Sequence, residues 1–117
     1  MKPPVEIIPS PWFIKRTKIL QKRYPHIVQD TRSLVEQLKR GKTPGDHVQA
    51  KNYTIYKVRL PNRDARRGKS GGYRVIYYIQ TQSRITLLTI YSKSDQNDIS
   101  LDEIQVMIAN LPDQPEE

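Results

Sequence analysis

Residues 53–60 read Tyr-Thr-Ile-Tyr-Lys-Val-Arg-Leu, residues 73–79 Tyr-Arg-Val-Ile-Tyr-Tyr-Ile, and residues 84–91 Arg-Ile-Thr-Leu-Leu-Thr-Ile-Tyr. Each run is rich in β-branched and aromatic side chains, which pack well on a pleated surface, so each is expected to be a strand. Pro61 and Asn62 end the first run, residues 62–72 make a polar, glycine-bearing loop, and Thr81-Gln82-Ser83 makes a short turn. These connections are too short for the crossover that parallel strands require, so the three strands are expected to form an antiparallel meander.

Outward from the meander, proline punctuates the chain. Pro3, Pro4, Pro9 and Pro11 bracket Val5-Glu6-Ile7-Ile8, which reads as a short edge strand. Ser10 is placed to cap a helix with Pro11 at its first position. Trp12, Phe13, Ile19, Leu20 and Tyr24 recur near helical spacing along it. From Pro25 to about Arg40, Ile27, Val28, Thr31, Leu34, Val35 and Leu38 fall on one stripe, and Gly41 ends that second helix. Ser100 with Glu103 forms a capping box before a last helix carrying Ile104, Met107, Ile108 and Leu111. The expectation is one α+β domain over residues 1–117. An N-terminal strand and helical hairpin precede the antiparallel meander and a C-terminal helix, and residues 113–117 form a flexible acidic tail. A chain of 117 residues suffices for one modest core.

Charge narrows the function. The net +8 is a sum of unequal parts: residues 1–93 carry all 20 Lys and Arg against five acids, a net +15, and residues 94–117 carry seven acids and no base. The densest stretch, Lys57 to Arg74, holds seven basic residues against Asp64 alone. Such a balance favours an anionic partner. The group Lys15, Arg16, Lys18, Lys22 and Arg23 reads first as a solvated helix face. With no cysteine there is no disulfide framework, thiol nucleophile or Cys-ligated metal. No apolar run is long enough to span a membrane, and Met-Lys-Pro-Pro-Val-Glu lacks the apolar stretch of a signal peptide, so the expected location is cytoplasmic.

Strand alternation groups candidate residues. Lys57 and Arg59 are two apart and share a face, while Tyr56, Val58 and Leu60 point the other way. Arg74 can approach the pair across the antiparallel ladder. Tyr91 ends the third strand and Lys93 follows it. Cations for phosphates and a ring for stacking suit a single nucleic-acid strand; the competing reading is an ordinary solvated face with Tyr91 in the core. Gly68-Lys69-Ser70 looks like part of a P-loop but fails the pattern, since position 63 is Arg63 and strands flank both sides. Arg66, Arg67 and Lys69 remain as phosphate-binding candidates in a basic hairpin loop. His26 reads as a surface residue at the start of the second helix; His47, just ahead of the meander, is within possible reach of the site. Two separated histidines and scattered acids supply no ligand set, so neither a metal nor another cofactor is expected.

Taken together, Tyr56-Lys57-Val58-Arg59-Leu60, Arg67-Gly68-Lys69-Ser70-Gly71-Gly72-Tyr73-Arg74-Val75-Ile76-Tyr77-Tyr78, Ile90-Tyr91-Ser92-Lys93-Ser94 and Asp98-Ile99-Ser100 resemble the RelE/ParE superfamily of bacterial type II toxins, its RelE/HigB-like branch above all. The resemblance covers most of the chain. It implies a RelE-like fold and a toxin neutralised by a cognate antitoxin. It further implies a metal-independent endoribonuclease that cuts mRNA on the ribosome and so inhibits translation. Lys57, Arg59 and Arg74 match the positions of the family's catalytic Lys/Arg set. Their implied roles are activating the ribose 2′-OH, neutralising the scissile phosphate and stabilising transition-state charge. Lys69 is implied to contact phosphate. Tyr91, which matches no catalytic position of the family, stands as a candidate for stacking a base or assisting proton transfer, and Arg66, Arg67 and Lys93 stand as phosphate-binding candidates on charge alone. The stretch from Ser94 to Ser100 lacks the arginine and tyrosine that RelE carries there. Two alternatives therefore stand beside the nuclease: a ParE-like inhibitor of DNA gyrase without nuclease activity, and a degenerate relative that only binds antitoxin.

Overall fold

A computed structural model describes residues 5–64, 72–93 and 98–111. The elements run β1 (Glu6–Pro9), α1 (Pro11–Gln21), α2 (Ile27–Lys39), β2 (Asp46–Val48), β3 (Thr54–Leu60), β4 (Tyr73–Thr81), β5 (Arg84–Ser92) and α3 (Leu101–Ala109). They build an α+β fold around a five-stranded sheet in the order β1-β5-β4-β3-β2. β2 to β5 pair antiparallel, and β1 runs parallel to β5 along the edge. The stretch 113–117, expected to be a tail, lies outside the described residues.

Two apolar layers follow from the alternation. On one face α1 and α2 lay Phe13, Leu20, Ile27, Leu34 and Leu38 against Val58, Tyr73, Val75 and Tyr77. On the other, Ile104 and Ile108 of α3, with Leu111 just past its end, lie against Ile55, Ile76, Leu88 and Tyr91. The α2 stripe differs from the expected one: Val28 is exposed, and Asp30 is buried in its place. That burial is possible because Arg63, at the end of β3, donates to Asp30 from both its backbone N–H at 3.1 Å and its guanidinium at 2.8 Å. A buried charge persists only when paired in this way. The neighbouring Asp64 accepts from the His26 backbone N–H at 2.8 Å and from its ring at 2.7 Å. His26 is thus an exposed residue that ties the end of β3 to the start of α2.

β2 was not expected. Asp46-His47-Val48 is too short and polar to show alternation, and tertiary contacts make it a strand. Gly45 adopts φ +102°, a conformation open to glycine, and brings the chain against β3. The Tyr77 hydroxyl donates to the Pro44 carbonyl just before that turn.

A bulge sets the phase of β5. Ile76 pairs with Thr89 but Tyr77 pairs with Leu87, so Leu88 is an extra residue. Ile85, Leu87 and Ile90 therefore share the α1/α2 face, while Leu88 and Tyr91 face α3. Ser10 is anchored to this bulge. Its hydroxyl accepts from the Phe13 N–H at 3.1 Å as the α1 cap and donates to the Leu88 carbonyl at 2.6 Å. Losing both bonds in Ser10→Ala is expected to cost about 1–2 kcal/mol, read as a lower midpoint in urea at unchanged m-value.

Candidate active site

Register brings the predicted cations together. Arg59 on β3 lies directly opposite Arg74 on β4, and Arg74 lies opposite Tyr91 on β5. Two residues along β3, Lys57 lies opposite Ile76 on one side and Asp46 of β2 on the other. All of these side chains belong to the face that α3 partly covers. Past the end of β5, Lys93 is held by a hydrogen bond from its N–H to the Gly72 carbonyl at 3.1 Å. Lys57, Arg59, Arg74 and Lys93 line one polar cleft, together with Asp46 and Asp98.

The arginines differ in environment. Arg74 is only 5% exposed, and its guanidinium donates to the Tyr73 carbonyl at 3.3 Å. Arg59 is exposed. Like charges placed directly across a ladder destabilise a sheet, so this pair is a structural liability that a solvated face would not need.

Asp98 is the group that sequence reasoning missed. Its Oδ1 accepts from Lys93 Nζ at 3.0 Å and from the Tyr91 hydroxyl at 3.0 Å, and its Oδ2 lies 3.7 Å from Lys57 Nζ. The hydrogen bonds from Lys93 and Tyr91 hold the Asp98 carboxyl below the usual carboxylate range, with Lys57 adding to the effect. The sign follows: the contribution of these contacts to stability is present at neutral pH and is lost as the pH falls through the depressed value. A carboxyl-carbon NMR titration should find Asp98 protonating below the usual carboxylate range. Its pKa should rise in Lys93→Ala, and by less in Tyr91→Phe. The sequence signals for this residue are its position two places before the Ser100 cap and its place in the Asp98-Ile99-Ser100 segment of the resemblance, neither of which assigns it a role. The Ser100 hydroxyl accepts from the Glu103 N–H at 3.2 Å, which fixes where α3 begins.

Two expectations are corrected. The Tyr91 ring is fully buried beneath α3, so it presents no face for stacking a base. Its hydroxyl meets the cleft through Asp98, to which it donates, and burial followed by that hydrogen bond pushes its pKa up to about 12, so it stays a donor at neutral pH. His47 pairs with Tyr56 and packs edge-on against that ring at 5.3 Å, on the opposite face from Lys57. The residue that β2 contributes to the cleft is Asp46. Arg66, Arg67 and Lys69 lie outside the described residues. Among the described residues, no group of three or more His, Asp or Glu is placed to hold a metal ion, and no helix is long and apolar enough to cross a membrane.

The cleft offers positive charge and hydrogen-bond donors at close quarters, with two carboxylates at its rim. Those are the means of binding a phosphodiester and stabilising added negative charge on it. In comparison with known proteins, the family model described as RelE toxin of RelE / RelB toxin-antitoxin system matches residues 16–111. No curated protein matches the chain.

Proposed function

The chain belongs to the RelE toxin family, as the toxin of a toxin–antitoxin system, and we propose that its reaction is ribosome-dependent cleavage of mRNA. The observation that supports this reading is the gathering of Lys57, Arg59, Arg74 and Lys93 around one cleft. In the proposed reaction the scissile phosphate lies against Arg59 and Arg74. Lys57, having first given its ammonium proton to water, takes the proton of the neighbouring ribose 2′-OH as the neutral amine, the O2′–P bond forms, and the P–O5′ bond breaks. Lys93, the remaining ammonium group of the cleft, delivers a proton to the departing 5′-oxygen. Negative charge grows on the non-bridging oxygens during this step, and fixed guanidinium groups stabilise it without reorganising. No step calls on a metal ion. The antitoxin partner, on this reading, masks a basic surface, and the cellular location is the cytoplasm, where mRNA and ribosomes are found.

One observation favours the gyrase reading. Asp98 partly neutralises the cleft, as suits a chain that has given up phosphate chemistry. A cell-free translation reaction with the purified chain separates the two. mRNA that is cut only when ribosomes are present supports the nuclease. Intact mRNA, with accumulated gyrase–DNA cleavage complexes in a parallel reaction, supports the gyrase inhibitor.

A further inference from the structure

The two halves of the cleft are unequal. On the lysine side Asp98 already supplies a negative charge to Lys93 at 3.0 Å and Lys57 at 3.7 Å. On the arginine side, Arg59 and Arg74 have no ion pair among the described residues, and the hydrogen bond of Arg74 goes to the Tyr73 carbonyl. A nucleotide phosphate presents what Asp98 presents: two oxygens sharing one negative charge.

We infer that Asp98 is a displaceable counter-ion, whose carboxylate occupies the position among Lys57, Lys93 and the Tyr91 hydroxyl that a nucleotide phosphate takes on binding. RNA enters by exchange, carboxylate out and phosphate in, after which all four basic side chains face the backbone. The inference rests on the reading of the cleft as a phosphate site.

Three features carry it. The Tyr91 ring is fully buried, so its hydroxyl keeps one direction. An oxygen acceptor is required there in either state, because a buried donor left unpaired is costly. Asp98 stands in irregular chain ahead of the Ser100 cap with its side chain 48% exposed, so it can turn into water without breaking a helix or strand. Ion pairs at that exposure are held weakly, whereas a phosphodiester that also reaches Arg59 and Arg74 gains further charge-assisted hydrogen bonds. The consequence is selectivity. An isolated anion gains nothing over the carboxylate already present, and only a backbone long enough to reach the arginines displaces it.

The test is calorimetric titration of the full chain with a 2′-O-methyl RNA trinucleotide, which binds as RNA but has no 2′-OH to attack. Asp98→Asn should bind about tenfold tighter than the wild type, equivalent to about 1.4 kcal/mol. Its affinity should also fall more steeply with salt, because the RNA then meets a cleft with one more net positive charge and its neutralisation releases more counterions. Asp98→Ser, of different shape, should agree with it. Asp102→Asn removes the same charge in the first turn of α3 and should change affinity less than twofold. The inference is overturned if Asp98→Asn binds within twofold of the wild type or more weakly. It is equally overturned if Asp102→Asn matches it, or if neither chain binds. Tighter binding by Asp98→Asn in a chain that cuts no ribosome-bound mRNA would sink the nuclease reading and leave this inference standing. Intact cleavage with unchanged binding would do the reverse.

Discussion

Arg74→Ala should lower mRNA cleavage on programmed ribosomes by roughly 100- to 1,000-fold, the usual consequence of removing one charge-stabilising donor from a preorganised site. Growth inhibition on induced expression should disappear with it, while antitoxin binding stays nearly intact. Arg74 is buried, so a structural explanation of any loss has to be met. Arg59→Gln meets it. Arg59 is exposed and stands directly opposite Arg74, so its neutralisation relieves a cross-strand repulsion. That variant should lose activity while its melting temperature stays equal or rises. Activity loss paired with unchanged or higher stability is the behaviour of a residue kept for function at the expense of the fold. Undiminished toxicity in Arg74→Ala would show that the cleft is not the working site.

The second large effect is on stability. A Cβ built on Gly45 would lie 2.5 Å from the Lys57 carbonyl oxygen and 2.9 Å from the Val58 Cβ, and the φ of +102° is itself strained for any L side chain. The neighbouring atom is backbone in a paired strand, so it cannot swing aside. Gly45→Ala should therefore cost about 2–4 kcal/mol, from left-handed strain and steric overlap together. The melting temperature should fall on the order of 10 °C. Gly41 makes the control. Its φ is +84°, but a Cβ there meets nothing within 4 Å, so Gly41→Ala carries the strain alone and should cost less. Equal effects at the two positions would mean that β2 does not press on β3 as described. Because Gly45 leads directly to Asp46, opposite Lys57, its substitution should also disturb the cleft, and cleavage should fall more than melting alone explains.

What the sequence disclosed and what it hid have physical reasons. Ser10-Pro11, the Leu34–Leu38 periodicity, Gly41 and the Ser100–Glu103 pair are local signals, and each marks an observed boundary or buried face. The meander is legible because residues two apart along a strand share a face, which groups Lys57 with Arg59, and antiparallel pairing brings Arg74 to them. The rest depends on contacts distant in the chain. β2 exists because Gly45 turns it onto β3, and nothing in Asp46-His47-Val48 marks it. The bulge at Leu88 decides that Ile90 joins the α1/α2 core and that Tyr91 faces Arg74; its one trace in the sequence is the adjacent Leu87-Leu88, which breaks strict alternation. Asp98 belongs by sequence to the acidic segment 94–117, yet the fold returns it to Lys57 and Lys93. Tyr91 was grouped with the site by its place at a strand end, and α3 turns it into a core residue whose hydroxyl alone takes part.

If the cationic sheet face performs phosphoryl transfer with the 2′-OH as nucleophile, the chemistry of the cut ends records it. Programmed ribosomes incubated with the chain should yield an upstream fragment ending in a 2′,3′-cyclic phosphate or its opened 3′-phosphate, and a downstream fragment beginning with a 5′-hydroxyl. Neither should form without ribosomes or with Arg74→Ala. Uncut mRNA, or fragments bearing 3′-hydroxyl and 5′-phosphate ends, would mean that the 2′-OH is not the nucleophile at this cleft.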